Sequence, residues 1–281
     1  MAEITKNLGY CIEYNKTTIC DKKCIDEIKD LLKNYHLLVI KGLDFTVKEF
    51  KTFSGMLGEI IPHDILKYRH PEHEMLSYVT NVDREGNLDK FGATIRASDW
   101  HTDGSFRKIP YSYTILYSLE APKKGGKTDF NNMVESYNNL NSDMKQQIEE
   151  YSALHKRGEG WTSENPPPPL SDEQKASGLF EGNSHPIVIK NPISKKKTLY
   201  INPSHTKKIN ELDDEASDIL LSKLINLSVT KKYQYSHQWQ KKDLIIWDQR
   251  DLLHRASPEK VTNEKRIMIR SMILNKPHRI I

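Results

Sequence analysis

The chain has 281 residues, 37% hydrophobic and 28% charged, the balance of a globular protein with a sizeable core. Its formal charge is only +4, from 42 Lys and Arg scattered against 38 Asp and Glu, so the concentrated basic stripe of a nucleic-acid groove is missing. No run of 18 apolar residues offers a membrane span, and "MAEITKNLGY" lacks the apolar stretch of a signal peptide, so a cytoplasmic location is expected.

Cys11, Cys20 and Cys24 are odd in number and fit reduced thiols better than a disulfide framework. Cys20 and Cys24 have loose zinc-like spacing, but no second pair follows. Asp21–Asn34 carries Ile25, Ile28, Leu31 and Leu32 at the spacing of one helical face, with Asp21 as its N-cap. "HLLVI" (His36–Ile40) reads as a buried strand stopped by Gly42. Thr46 and Glu49 form a capping box for a second helix that turns Phe50, Phe53, Met56 and Leu57 inward.

From Met75 onward short β-rich runs dominate: "MLSYVT", "YSYTILYSL", "KTDFNNM", "HPIVIK", "KTLYIN", "DLIIWD" and "RIMIRSMIL". Turn signals such as Gly125-Gly126 and Asn191-Pro192 separate many of them, which predicts a sandwich or barrel. Two helical inserts are expected, roughly Val134–His155 and Asp214–Asn226. Pro166–Pro169 can join neither ladder nor helix, so "EGWTSENPPPPLSDEQKASG" is read as an exposed loop, a lid or a stiff connector. Lys195–Lys197 beside Pro192 reads as a solvated turn. The expected architecture is a single domain over residues 1–281, mostly β, with a jelly-roll core and flanking helices.

"WHTDGSF" places His101 and Asp103 one residue apart, and two residues cannot hold a catalytic metal alone. "DLIIWDQRDLLHRASP" offers a distant third ligand: an apolar strand, a break at Asp248, Gln249 and Arg250, then His254. Two imidazoles and a carboxylate occupy one face of an octahedral ion and leave three positions open, which suits Fe(II) better than zinc. The chain has eleven histidines, so His-x-Asp is weak by itself. It gains weight from "RIMIR", where Arg266 and Arg270 share one face at a period of two. Guanidinium groups inside a barrel are costly unless they meet anions, and the arginine fork matches a carboxylate; a solvent-facing pair is the alternative.

"WHTDGSF", "GGKTDFNNM", "DLIIWDQRDLLHRA" and "RIMIR" resemble, in order, the taurine dioxygenase / 2,4-dichlorophenoxyacetate dioxygenase family. These are iron(II)- and 2-oxoglutarate-dependent oxygenases with a double-stranded β-helix, or jelly-roll, fold. The resemblance runs from "HLLVIKGL" to "RIMIRSMI". It implies His101, Asp103 and His254 as iron ligands, and Thr128 and Arg266 as contacts of the 2-oxoglutarate carboxylates. Arg270 matches a second arginine that touches the co-substrate or the prime substrate's anion. Trp247 and Asp248 match the strand leading to the distal histidine and are read as supports. His63 falls near a substrate-anion histidine, whereas Ala97 stands where the taurine enzyme has an asparagine, a departure that argues against taurine. Several stretches look closer to the aryloxyalkanoate branch. Tyr78, Asn81, Arg96 and Ser98 are candidate pocket residues, each with a packing or surface alternative.

The resemblance implies oxidation of a C–H bond of a small carboxylate or sulfonate with Fe(II), 2-oxoglutarate and O2, releasing succinate and CO2. The alternatives are a biosynthetic tailoring oxygenase that desaturates or oxidises an amino-acid-derived metabolite, and a non-catalytic binding protein of the cupin type. A homo-oligomer stays open.

Overall fold

The apolar run Leu244–Asp248 lies at the centre of the largest sheet because it is buried on both faces. Like its neighbours it is rich in Ile and Leu, which suit a strand covered on either side. The computed structural model describes residues 2–5, 8–83, 85–88, 97–157, 181–259 and 263–275. Its strands, in chain order, are β1 (Ala2–Thr5), β2 (Leu8–Glu13), β3 (Leu37–Lys41), β4 (Glu59–Ile61), β5 (Ser77–Thr80), β6 (Tyr113–Glu120), β7 (Thr128–Asn132) and β8 (Ser152–His155). They continue with β9 (Asn183–Pro186), β10 (Val188–Lys190), β11 (Lys197–Leu199), β12 (Thr206–Ile209), β13 (Gln234–His237), β14 (Leu244–Asp248), β15 (Leu252–Ala256) and β16 (Ile267–Leu274).

The major sheet has eight strands in the order β1-β2-β3-β14-β6-β16-β4, with β5 also pairing β16. Opposite it runs the antiparallel sheet β13-β7-β15. Phe130, Trp239, Ile245, Trp247, Leu252 and Met268 form one buried cluster between the two sheets, the interior of a jelly roll. The sheets β12-β8-β9 and β10-β11 complete the described strands.

Helix α1 (Lys22–Tyr35) buries Ile25, Ile28 and Leu32, and α2 (Val47–Leu57) buries Phe50, Phe53, Ser54 and Leu57. Both pack into a cluster with Leu38, Ile40, Ile246 and Ile269 of the major sheet. The expected capping box is present, Thr46 accepting from the Glu49 N–H and Glu49 accepting from the Thr46 N–H. Asp21 occupies the N-cap of α1 without a side-chain cap bond.

Three expectations are corrected. Met56, expected inward, is 38% exposed, because it lies beyond the edge of the α2 apolar stripe. His36 is not the first strand residue: it closes α1 in the left-handed region (φ 64), and its N–H bonds Leu32 O. The expected long helix Val134–His155 is two short helices, Met133–Asn138 and Ser142–Ile148, followed by β8. Asn132 and Asn141 each cap a new helix start with the side chain, so the chain restarts where a single helix was read. Two N-terminal strands, β1 and β2, went unread. The insert Asp214–Ser228 is helical. Cys11, Cys20 and Cys24 are free, and no helix among the described residues is long and apolar enough to cross a membrane. Pro166–Pro169 lies outside the described residues.

Candidate active site

His254 sits at the middle of β15, and His101 lies beside it as an antiparallel bridge partner. The His101 N–H donates to His254 O at 3.0 Å and the His254 N–H to His101 O at 2.9 Å. The main chain therefore brings the two distant segments together, and the rings follow, with centroids 4.2 Å apart. Asp103 lies two residues on, its Oδ1 3.8 Å from His101 Nε2 and its Oδ2 3.8 Å from His254 Nε2. Ligand atoms of all three residues lie within 4.8 Å of one another, the one such grouping among the described residues. Gly104 turns the chain out of the site at φ 72. A Cβ there would fall 2.6 Å from the Tyr111 ring, so this close approach requires glycine.

The donor set fits a metal. His101 Nδ1 is 2.8 Å from Asp99 O; donating there, it leaves the Nε2 lone pair facing Asp103. His254 Nδ1 is buried and has no partner among the described residues, and its ring lies 4.9 Å from that of Trp247. Burial and the neighbouring His101 hold the His254 imidazole far below its ordinary pKa, which keeps it neutral and able to ligate. Burial works to raise the Asp103 pKa, but the Arg270 guanidinium leads the neighbours that outweigh it and keep the carboxylate ionised.

Two chambers adjoin the triad. The inner one, about 60 Å³, is lined by His101, Asp103, Thr128, His254, Arg266 and Arg270 among others. Arg266 is 3% exposed; its Nε donates to Gly126 O at 2.9 Å and its Nη2 to Thr128 Oγ1 at 3.3 Å. Thr128 Oγ1 also accepts from Trp239 Nε1 at 2.9 Å. No acidic side chain among the described residues forms an ion pair with Arg266, and burial alone lowers its pKa to about 10. A buried guanidinium without a counter-ion costs several kcal/mol.

The outer chamber is a cleft of about 1460 Å³ whose walls include His63, Tyr78, Phe106, Tyr111, His205 and Arg270. Arg270 reaches both chambers, its Nη1 3.1 Å from Asp103 Oδ2. His63 Nδ1 accepts the Ile65 N–H at 2.9 Å, so the ring carries its proton on Nε2. Burial, then the charge of Arg270, lowers its pKa to about 3, and it is neutral at physiological pH. Tyr78 stacks on His70 at 5.0 Å.

Asn81 and Ser98 do not line the cleft. Asn81 Oδ1 takes the Arg266 N–H at 2.7 Å and its Nδ2 donates to Glu264 O, so it fixes the backbone that carries Arg266. Ser98 is exposed. Ala97 lines both chambers, and Arg96 lies outside the described residues. Asp248 receives the Arg250 guanidinium and Asn191, while Trp247 packs edge-on against Phe130. The residues sequence reasoning missed are Trp239, His205, Tyr111 and Gln249. Only the aromatic and amide character of these side chains marked them, and such residues are too common to single out.

A family model described as "Taurine catabolism dioxygenase TauD, TfdA family" matches residues 6–272. The chain is 30% identical to the (S)-phenoxypropionate/alpha-ketoglutarate-dioxygenase of Sphingobium herbicidovorans, over 86% of this chain and 83% of that protein. It is 28% identical to a pentalenolactone F synthase of Streptomyces arenae, over 83% and 81%. A solved structure of AAD-2 in complex with Mn(II) and N-oxalylglycine superimposes with a TM-score of 0.83 at 23% identity, covering 99% of each chain. A taurine dioxygenase from Burkholderia xenovorans does so at 0.79 and 19%, covering 99% of this chain and 91% of that one; these two likenesses speak for the jelly-roll fold. The chain belongs to the TauD/TfdA family and is a dioxygenase that depends on Fe(II), 2-oxoglutarate and O2.

Proposed function

We propose that the chain hydroxylates a C–H bond of a small organic carboxylate or sulfonate, with Fe(II) held by His101, Asp103 and His254 and 2-oxoglutarate anchored by Arg266 and Thr128. The observation that carries the reading is Arg266, a buried cation with no acidic partner among the described residues, which lines the same small chamber as the triad. A carboxylate entering that chamber meets a guanidinium whose desolvation is already complete. Thr128 Oγ1 accepts two hydrogen bonds, so its own proton points away from both donors and is available to the same carboxylate. Trp239 holds that hydroxyl in place.

Bound Fe(II) supplies activation of O2, with 2-oxoglutarate converted to succinate and CO2. The protein's part is placement. In the outer cleft, Arg270 and the Nε2–H of His63 are donors for the prime substrate's anionic group. Tyr78, Phe106 and Tyr111 add aromatic walls to the same cleft. Asp103 would hold the metal, whose charge would neutralise the carboxylate that Arg270 now contacts and leave that guanidinium available to the substrate. The relative from Sphingobium is named for a phenoxypropionate, and an aryloxyalkanoate suits these walls. The likeness to pentalenolactone F synthase favours, as a second reading, a tailoring oxidation in a biosynthetic route.

The test is succinate release with Fe(II), 2-oxoglutarate and O2 across aryloxyalkanoates, alkanesulfonates and amino-acid-derived carboxylates. Stimulation by one anionic class supports the reading. Stimulation only by neutral molecules, or no 2-oxoglutarate turnover at all, contradicts it.

A further inference from the structure

Gln249 is 1% exposed and lies against the Asp103 carboxylate, yet nothing in the proposed reaction uses it. It directly follows β14, and its own N–H donates to Ser112 O at 2.9 Å, which pins its backbone to the strand entering β6. Its side-chain Oε1 accepts the Asp103 N–H at 3.1 Å. A main-chain N–H only donates, so the orientation of the amide is fixed: Oε1 faces the Asp103 backbone and Nε2 the other way. There Nε2 bonds Thr114 Oγ1 and lies 3.4 Å from Asp103 Oδ2.

The same oxygen, Oδ2, also receives Arg270 Nη1 at 3.1 Å. Among the described residues no donor reaches Oδ1, which faces His101 Nε2 at 3.8 Å. Each oxygen faces one triad histidine at 3.8 Å, but Oδ2 alone is also engaged by two donors, which makes the two oxygens of the carboxylate unequal. Arg270 is available to substrate in the reading above, whereas Gln249, held at both ends of its amide, is the permanent contact.

We propose that Gln249 is a positioning residue that holds Asp103 as a one-oxygen ligand, with Oδ1 toward the metal, and thereby keeps open the positions that 2-oxoglutarate and O2 require. The inference rests on the reading of the triad as an Fe(II) site. A carboxylate free to grip through both oxygens takes one of the three positions left by a three-ligand face. Residues that orient a metal ligand typically contribute ten- to a hundredfold in affinity.

The test uses the full-length protein stripped of metal. Gln249→Leu and the equally long, unbranched Gln249→Met are titrated with Mn(II), then with N-oxalylglycine at saturating Mn(II). Visible absorption of the Co(II)-loaded proteins reports the coordination sphere. The expected result is Mn(II) binding weakened about tenfold or more, weaker N-oxalylglycine binding and an altered Co(II) spectrum, with metal-free melting of Gln249→Met close to that of the wild type. Where Gln249→Leu fails to fold, Gln249→Met carries the test. Wild-type Mn(II) affinity together with an unchanged Co(II) spectrum in Gln249→Met overturns the inference and leaves the functional reading standing. A wild-type protein that binds no Mn(II) overturns both.

Discussion

The inner and outer chambers share His101, Asp103 and Arg270 but are built differently. The inner one is walled largely by residues in or beside strands: Thr128 opens β7, His254 lies in β15, and Arg266 directly precedes β16. Its polar atoms are bonded to one another, Trp239 to Thr128 and Thr128 to Arg266. The outer cleft draws on loop segments around residues 62–74, 97–111 and 203–207 as well as on β5 and β16. A co-substrate that never changes calls for a rigid, buried anchor. A substrate that differs between relatives calls for walls that can change without disturbing a sheet.

If the inner chamber holds 2-oxoglutarate and the metal, Asp103→Ala loses succinate formation by about three orders of magnitude. A folded, iron-supplied variant that still turns over would break the division between the chambers at its root. Arg266→Ala comes next. Removing a charge-assisted carboxylate contact worth about 2–3 kcal/mol raises the 2-oxoglutarate KM roughly 30- to 150-fold, with little change in the KM of the prime substrate. Arg270→Gln should show the opposite split: a prime-substrate KM raised about tenfold, 2-oxoglutarate consumed without matching product, and a 2-oxoglutarate KM within a few fold of wild type. If Arg270→Gln moved both constants equally, the chambers would not be separate functional units.

The smallest effect concerns pH. Burial and Arg270 lower the folded pKa of His63 to about 3 from an ordinary 6.5. Between these values the unfolded chain binds the proton and the folded chain does not, so this residue subtracts stability as pH falls below 6.5. His63→Gln is therefore expected to melt with a shallower loss between pH 6.5 and 5 than the wild type. Because the ring stays neutral over that range, substrate affinity should show no inflection near pH 6.5 traceable to His63.

The grouping of His101, Asp103 and His254 with the two arginines was legible because the proposed chemistry calls for particular side-chain types: a His-x-Asp, a distant histidine after an apolar strand, and two cations in a run of β spacing. The β-bridge between His101 and His254 explains why separation along the chain did not matter. What supports the triad was not legible. His101 leans on the main-chain carbonyl of Asp99, and a backbone atom leaves no mark in composition. Gln249 and Trp239 act through contacts that only the folded register creates, and Asn81, read as a pocket residue, serves the Arg266 backbone instead. In the fold, the restart at Asn141 lay inside the expected helix Val134–His155, and an asparagine that caps a new helix looks no different in sequence from one on a polar helix face.

Calorimetric titration of 2-oxoglutarate into the Mn(II)-loaded protein tests the central claim most directly, comparing wild type, Asp103→Ala and Arg266→Ala. The account predicts binding by the wild type, severe weakening in Arg266→Ala and none measurable in Asp103→Ala. Equal affinity in all three would contradict it.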